Sequence, residues 1–321
     1  MTTGLIYSER FLEHDTGPGH PERPDRLRAI HRHLQGRGLL DALVPLPFKP
    51  ADRRWIEHLH KPDYVERIFA ACRAGEPYVD SPDSTVSPES AEVAQLAAGG
   101  ALTAVDAVMA GHVHNAFCAL RPPGHHAEAN LAMGFCLFNN VAIAADYLTR
   151  RHSLTRVAIV DFDVHHGNGT QHLFERRRDV LFISMHEHPR HLYPGTGHDY
   201  EAGTDEGEGY TLNLPLMPGS DDHAYLQTLR HDVLPKLDAY QPQFLLLSAG
   251  FDAAAHDPLA HMKVSPAGFG QLTRELRAFA ERCCAGRLVS VLEGGYHLQD
   301  LALSASRHVE ALHEPAPKPT V

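Results

Sequence analysis

Short apolar runs recur along the chain at Gly4–Tyr7, Phe117–Leu120, Val157–Val160, Val180–Ser184, Tyr210–Leu214, Phe244–Leu247 and Leu288–Leu292. Their length and β-rich composition predict buried strands. Between most of them lie longer segments with helical periodicity and clear boundaries: Ser87-Pro88 opens one toward Gly111, and Ser265-Pro266 opens another toward Gly286. Repeated β-then-α units need crossover connections, so the pattern predicts a three-layer α/β/α domain around a mostly parallel sheet. No Ser/Gly/Pro linker or compositional break divides residues 1–313, which read as one domain without internal repeats. Glu314–Val321, with three prolines, reads as a loose, flexible tail.

Open α/β sheets bind ligands in the crevice beyond the carboxyl ends of their strands. Leu120 is followed by RPPGHH, Val160 by DFDVHH, Leu247 by SAGFD and Leu292 by EGGY. Polar, turn-rich segments thus leave the strands, and the chemistry is expected to gather on one edge of the sheet.

A chain of 321 residues, 43% of them hydrophobic, can bury a full core. No run approaches the roughly 18 consecutive apolar residues of a membrane-spanning helix. The opening MTTGLIYSER lacks a basic stretch followed by a long apolar one, so no secretory signal is expected and a cytoplasmic location is. Five cysteines (Cys72, Cys118, Cys136, Cys283, Cys284) are odd in number and show no CxxC spacing. That argues against a disulfide framework or a structural zinc knuckle, and most are expected to be buried thiols. A formal net charge of -11 disfavours direct binding to nucleic acid and leaves cationic substrates unrepelled. The 25 histidines carry chemical meaning only where their setting constrains them.

One such setting is DFDVHHGNG, Asp161 to Gly169, directly after an apolar strand. In extended chain Asp161, Asp163 and His165 share a face, and carboxylate oxygens with an imidazole nitrogen suit a divalent metal such as zinc. The alternative is a strand-end Asp capping the next helix beside a solvated histidine pair. A catalytic zinc takes three protein ligands and keeps a position open, so a third ligand must come from elsewhere. Asp252, after the turn Ala249-Gly250-Phe251, is the best candidate, and its alternative is a helix N-cap. RPPGHH is a stiff turn presenting His125 and His126, a pair suited to proton transfer near neutrality. Tyr296 in EGGY stands just past a strand, where glycines allow close backbone approach and a phenol can donate to an oxyanion.

Taken in order, RPPGHHA, GFCLFNN, DFDVHHGNGT, SAGFD and EGGY resemble the histone deacetylase and acetylpolyamine amidohydrolase superfamily, on its class II side. The likeness starts at the GHPERP segment, Gly19 to Pro24, and runs through Tyr296. It implies an arginase-like α/β fold with a central parallel sheet of about eight strands. By motif, Asp163, His165 and Asp252 would hold zinc, with ferrous iron as an alternative occupant. His126 would act as general base and later acid, His125 as electrostatic support, and Tyr296 as polariser of the acyl carbonyl. Asp161 would orient His125 and, with Ser184, help bind a structural potassium ion. Two carboxylate ligands make zinc a weaker Lewis acid than three imidazoles do, so a nearby base should matter more. Gly134, Phe135 and Tyr193 would flank the stem of an acyl-lysine.

Three positions depart from common family patterns. Asn168 stands where class I members have a second Asp, as in class II. Leu192 and Tyr193 occupy a site often filled by two phenylalanines, and Leu259 sits where polyamine-selective relatives carry an acidic gatekeeper. The resemblance therefore implies a lysine deacylase acting on an acyl-lysine peptide or protein. An acylated small amine is the runner-up substrate, with a carboxylate from the Asp80–Asp83 loop able to replace the missing gatekeeper. A silent acyl-lysine binder and a two-metal, arginase-like enzyme rank below, since the full set of presumed catalytic residues is present and one ligand set is evident. Oligomeric state is not legible in the sequence.

Overall fold

The computed structural model describes residues 2–314. Its strands are β1 (Thr3–Ile6), β2 (Val44–Pro45), β3 (Asn115–Cys118), β4 (Val157–Asp161), β5 (Val180–Glu187), β6 (Thr211–Leu216), β7 (Phe244–Ala249) and β8 (Leu288–Leu292). They form one sheet in the order β2-β1-β3-β8-β7-β4-β5-β6, parallel throughout. Every residue of β3, β4, β5, β7 and β8 is buried. Continuous apolar runs are what strands need when helices cover both faces of a parallel sheet. Ser90–Met109 and Asn140–Arg151 pack together over one part of it, and Asp25–Gly36, Pro266–Cys283 and Leu298–His313 form a second group.

Seven strands coincide with the apolar runs of the sequence to within a few residues. No run signals β2, whose two exposed residues pair with Gly4 and Leu5. A strand so short, with a proline in it, can sit only at an edge. Pro266–Cys283 starts as expected: Ser265 Oγ accepts from Gly268 N at 3.1 Å, with Pro266 in the first turn. The helix expected from Ser87-Pro88 begins instead at Ser90, because Ser87 N donates to Ser90 Oγ (2.8 Å) and that hydroxyl also meets His14 Nδ1 (2.6 Å). Glu314, expected to open a loose tail, bonds to the Arg274 guanidinium at 2.9–3.1 Å. The rest of that expected tail, 315–321, lies outside the described residues.

The chain starts at β1, adds β2 outside it at the edge and β3 on its inner side, restarts at β4, runs out to β6 at the other edge, then returns with β7 and β8 to fill the middle. Its order reverses between these halves, which is where open α/β sheets make their binding crevice. The four motif-bearing strands are therefore the central neighbours β3, β8, β7 and β4.

Candidate active site

β4 ends at Asp161, so strand alternation does not carry Asp163 and His165 as the spacing suggested. The chain turns instead. Asp161 Oδ1 accepts from Asp163 N (3.0 Å), and Asp163 Oδ1 accepts from His165 N (2.9 Å). Aspartates favour this geometry because their short carboxylates reach the backbone N–H two residues on. The gathering still occurs: His165 Nδ1 lies 3.1 Å from Asp163 Oδ1 and 3.1 Å from Asp252 Oδ2. Asp252 caps no helix; its Oδ1 accepts from Val164 N at 2.9 Å.

One donor atom from each of Asp163, His165 and Asp252 falls within 4.8 Å of the others, and all three residues are buried. Two glycines make room for them. A Cβ on Gly250 would stand 2.0 Å from Asp163 Oδ2, and one on Gly294 would stand 1.9 Å from Asp252 Oδ2. Gly294 N also donates to Asp163 Oδ2 at 2.8 Å. Burial, then the adjacent Asp163 charge, pushes the Asp252 carboxyl up. Two crowded, desolvated carboxylates beside one imidazole nitrogen fit a divalent cation, which would relieve that repulsion with ligand types zinc accepts.

The histidine pair hangs from the loop after β3, with ring centroids 4.1 Å apart. His125 Nδ1 lies 2.9 Å from Asp161 Oδ2, and His126 Nδ1 lies 2.7 Å from Asn168 Oδ1. These partners part the two titrations. Desolvation works against the charged form of His125, but Asp163 and Asp161 outweigh it and hold this imidazole up to about 10. Burial, with the charges of His125 and His165, pushes His126 well below its ordinary value. The Asn168 amide donates onward to Glu128 Oε1 at 2.9 Å.

A cavity of about 220 Å³ opens onto this floor, lined by His126, His165 and Tyr296 within and by Gly134, Phe135, Leu192, Tyr193, Leu259 and Asp83 around them. Gly134 and Phe135 tip a tight turn closed by Cys136 N donating to Met133 O (3.0 Å), with φ of 57° and 67°. Left-handed backbone is unusual for an aromatic residue, and here it places Phe135 on the cavity wall. A side chain at Gly134 would strike the His126 ring, 2.2 Å away. Phe135 meets Tyr296 edge to face at 5.7 Å. Burial raises the Tyr296 phenol well above its ordinary range, so it stays a donor. Ser184 and Asp161 are register partners on β5 and β4; Ser184 Oγ lies 2.8 Å from His186 Nδ1.

The residues that brace these loops escaped the sequence analysis as partners. Glu22 accepts from Arg121 Nε (2.6 Å) and Nη2 (2.7 Å) and from Arg26 Nη1 (3.0 Å), all fully buried. Arg26 in turn donates to the carbonyls of Gly295 and Glu293, and its guanidinium sits 5.0 Å over the Tyr296 ring. Glu293 Oε2 accepts from Gly124 N (2.7 Å) and His125 N (3.1 Å). Asp257 Oδ2 accepts from Tyr296 N (2.7 Å), and its Oδ1 accepts from Leu259 N (3.0 Å). Glu22 and Arg121 stand inside quoted motifs, but nothing in a sequence pairs charges 99 positions apart. The five cysteines are free and four are buried. Among the described residues no helix is long and apolar enough to cross a membrane.

Fold and cleft together are those of an α/β amidohydrolase. Residues 20–312 match the histone deacetylase domain, and the chain belongs to that family. A probable deacetylase of Archaeoglobus fulgidus is 38% identical, over 98% of this chain and 89% of its own length. The polyamine deacetylase HDAC10 of Homo sapiens is 38% identical over 99% of this chain and 49% of its own. The crystal structure of the HDA15 HD domain superposes with a TM-score of 0.92 at 38% identity, covering 97% of this chain and 89% of that one.

Proposed function

We propose that the protein is a zinc-dependent lysine deacetylase, able to take other short acyl groups, with the metal held by Asp163, His165 and Asp252. The observation that carries the reading is the convergence of His165 Nδ1 with one oxygen of each carboxylate, 3.1 Å from both, beneath a cavity walled by Phe135 and Tyr193. A zinc or ferrous ion there supplies Lewis acidity toward water and the acyl carbonyl.

The chain's own groups divide the remaining work. His126, kept neutral, can take a proton from water at its free ring nitrogen while Asn168 orients the other. His125, held cationic against Asp161, supplies positive charge beside the developing oxyanion and stays protonated. The Tyr296 hydroxyl donates to that oxygen. His126, once protonated, returns its proton to the leaving amine. Phe135 and Tyr193 present aromatic walls to the aliphatic stem of an acyl-lysine and exclude water from it. A structural potassium ion near Asp161 and Ser184 belongs to the same proposal; both Asp161 side-chain oxygens are already engaged, by His125 and by Asp163 N.

The second reading is an acylpolyamine substrate. It is favoured by Asp83, a carboxylate on the cavity wall whose Oδ2 accepts from Gly134 N at 3.1 Å, and by the relative that acts on polyamines. Leu259, apolar on the same wall, gives a distant ammonium no counter-charge, so lysine substrates rank first. Steady-state kinetics on an acetyl-lysine peptide and on acetylspermidine separate the two. A higher kcat/KM on the peptide is expected, and a large preference for the polyamine overturns the ranking.

A further inference from the structure

Outside the catalytic cleft a second set of metal-type donors comes together where two loops meet. His256 lies in the segment after Asp252. His297 directly precedes the helix Leu298–His313, and Asp300 lies in that helix's first turn. His297 and Asp300 are three residues apart, a spacing that puts both on one face at a helix start. Asp257 holds the other loop against them, its Oδ2 accepting from Tyr296 N (2.7 Å) and His297 N (3.3 Å). The His256 and His297 rings stand 5.6 Å apart. His256 Nδ1 is 2.9 Å from Asp300 Oδ2, and one donor atom of each residue lies within 4.8 Å of the others.

His297 Nδ1 makes the cluster more than a helix-start aspartate with a loop tethered to it. That nitrogen is covered from solvent and makes no hydrogen bond, although Asp300 Oδ1 is 3.4 Å away outside hydrogen-bonding geometry. A covered, unsatisfied ring nitrogen beside a carboxylate is costly unless something else meets its lone pair. We infer that His256, His297 and Asp300 form an accessory site for a borderline divalent cation of the zinc, cobalt or nickel type. Two imidazoles and one carboxylate suit such ions and not the all-oxygen preference of calcium or magnesium. The His256 side chain is well exposed, that of His297 partly so and that of Asp300 mostly covered, so the site faces water along its two histidines and would fill its remaining coordination from solvent.

Binding there would cross-link the loop that carries Leu259 to the start of the helix behind Tyr296. The expected result is a stiffer rim, not a second reaction centre.

The test uses the full-length, metal-loaded protein, dialysed against buffered micromolar zinc, with bound metal counted per chain. Two equivalents are expected in the wild type and one in His256→Ala and in Asp300→Asn. In parallel, raising free zinc above that needed to fill the first site should raise Tm in the wild type and leave it unmoved in His256→Ala. Because both variants spare Asp163, His165 and Asp252, they should keep the first equivalent and their basal turnover. A wild type that saturates at one equivalent, or variants that retain the second, overturns the inference; retention would place the extra ion on other surface histidines.

Discussion

Gly294→Ala tests the proposed metal cradle more sharply than removing one of its presumed ligands would. The added methyl would stand 1.9 Å from Asp252 Oδ2 and 2.6 Å from Asp163 Oδ2, against about 3.4 Å for ordinary contact. One carboxylate must therefore retreat by about 1.5 Å, several times the roughly 0.2 Å within which metal–ligand distances are held. Zinc affinity should fall by at least about 100-fold, more than the loss of an outer-shell partner costs. The fold should survive. Gly294 is not in the left-handed region, so alanine's gain of about 0.4–1 kcal/mol through the unfolded state offsets part of a packing penalty of about 1–3 kcal/mol. Zinc titration under buffered conditions, turnover on an acetyl-lysine peptide and a thermal melt read the three quantities separately. Gly36→Ala, at a helix end with nothing within 4 Å, is the control and should bind zinc as the wild type does. A Gly294→Ala protein that keeps wild-type zinc affinity and rate would refute the placement of the metal between Asp163 and Asp252.

Tyr296→Phe should retain zinc while kcat falls by about 10²–10³-fold, the size of effect seen when one oxyanion donor is removed; wild-type turnover would take Tyr296 out of the mechanism. Glu22→Gln leaves the buried Arg26 and Arg121 without their shared carboxylate and should cost about 3–5 kcal/mol in urea unfolding. A loss under about 1 kcal/mol would show that the arginines find other compensation. His308 is fully buried between Thr273 Oγ1 (2.7 Å) and Ser290 Oγ (2.8 Å), and burial pushes it down to about 3 from an ordinary 6.5. The unfolded chain takes up this proton before the folded one does, so its share of stability is complete above pH 6.5 and drains away as pH falls toward 3. His308→Gln should flatten the fall in urea midpoint between pH 7 and pH 4.5, and an unchanged slope would assign the acid sensitivity to other groups.

Much of the site was legible because its parts are local. Asp163 and His165 lie two residues apart, His125 and His126 are adjacent, and each set follows an apolar run long enough to announce a strand, so the sequence alone places the candidate chemistry at strand ends. Even there the route differed, since side-chain-to-backbone turns, not pleat alternation, bring Asp163 to His165. β2 was invisible because two exposed residues carry no periodicity, and its pairing depends wholly on β1 being there.

The amino-acid order by itself determined the α/β class, the motif-bearing strand ends and the identities of the metal-type donors, because strand burial and turn chemistry act over a few residues. Only the tertiary structure decided that β3, β8, β7 and β4 stand side by side, that Glu22 holds Arg26 and Arg121 together, and that Asp257 ties Tyr296 to Leu259. Those contacts join segments far apart in the chain and form only once the sheet has closed around them: strands need their neighbours to pair, and the buried charges must find one another to offset the cost of leaving water.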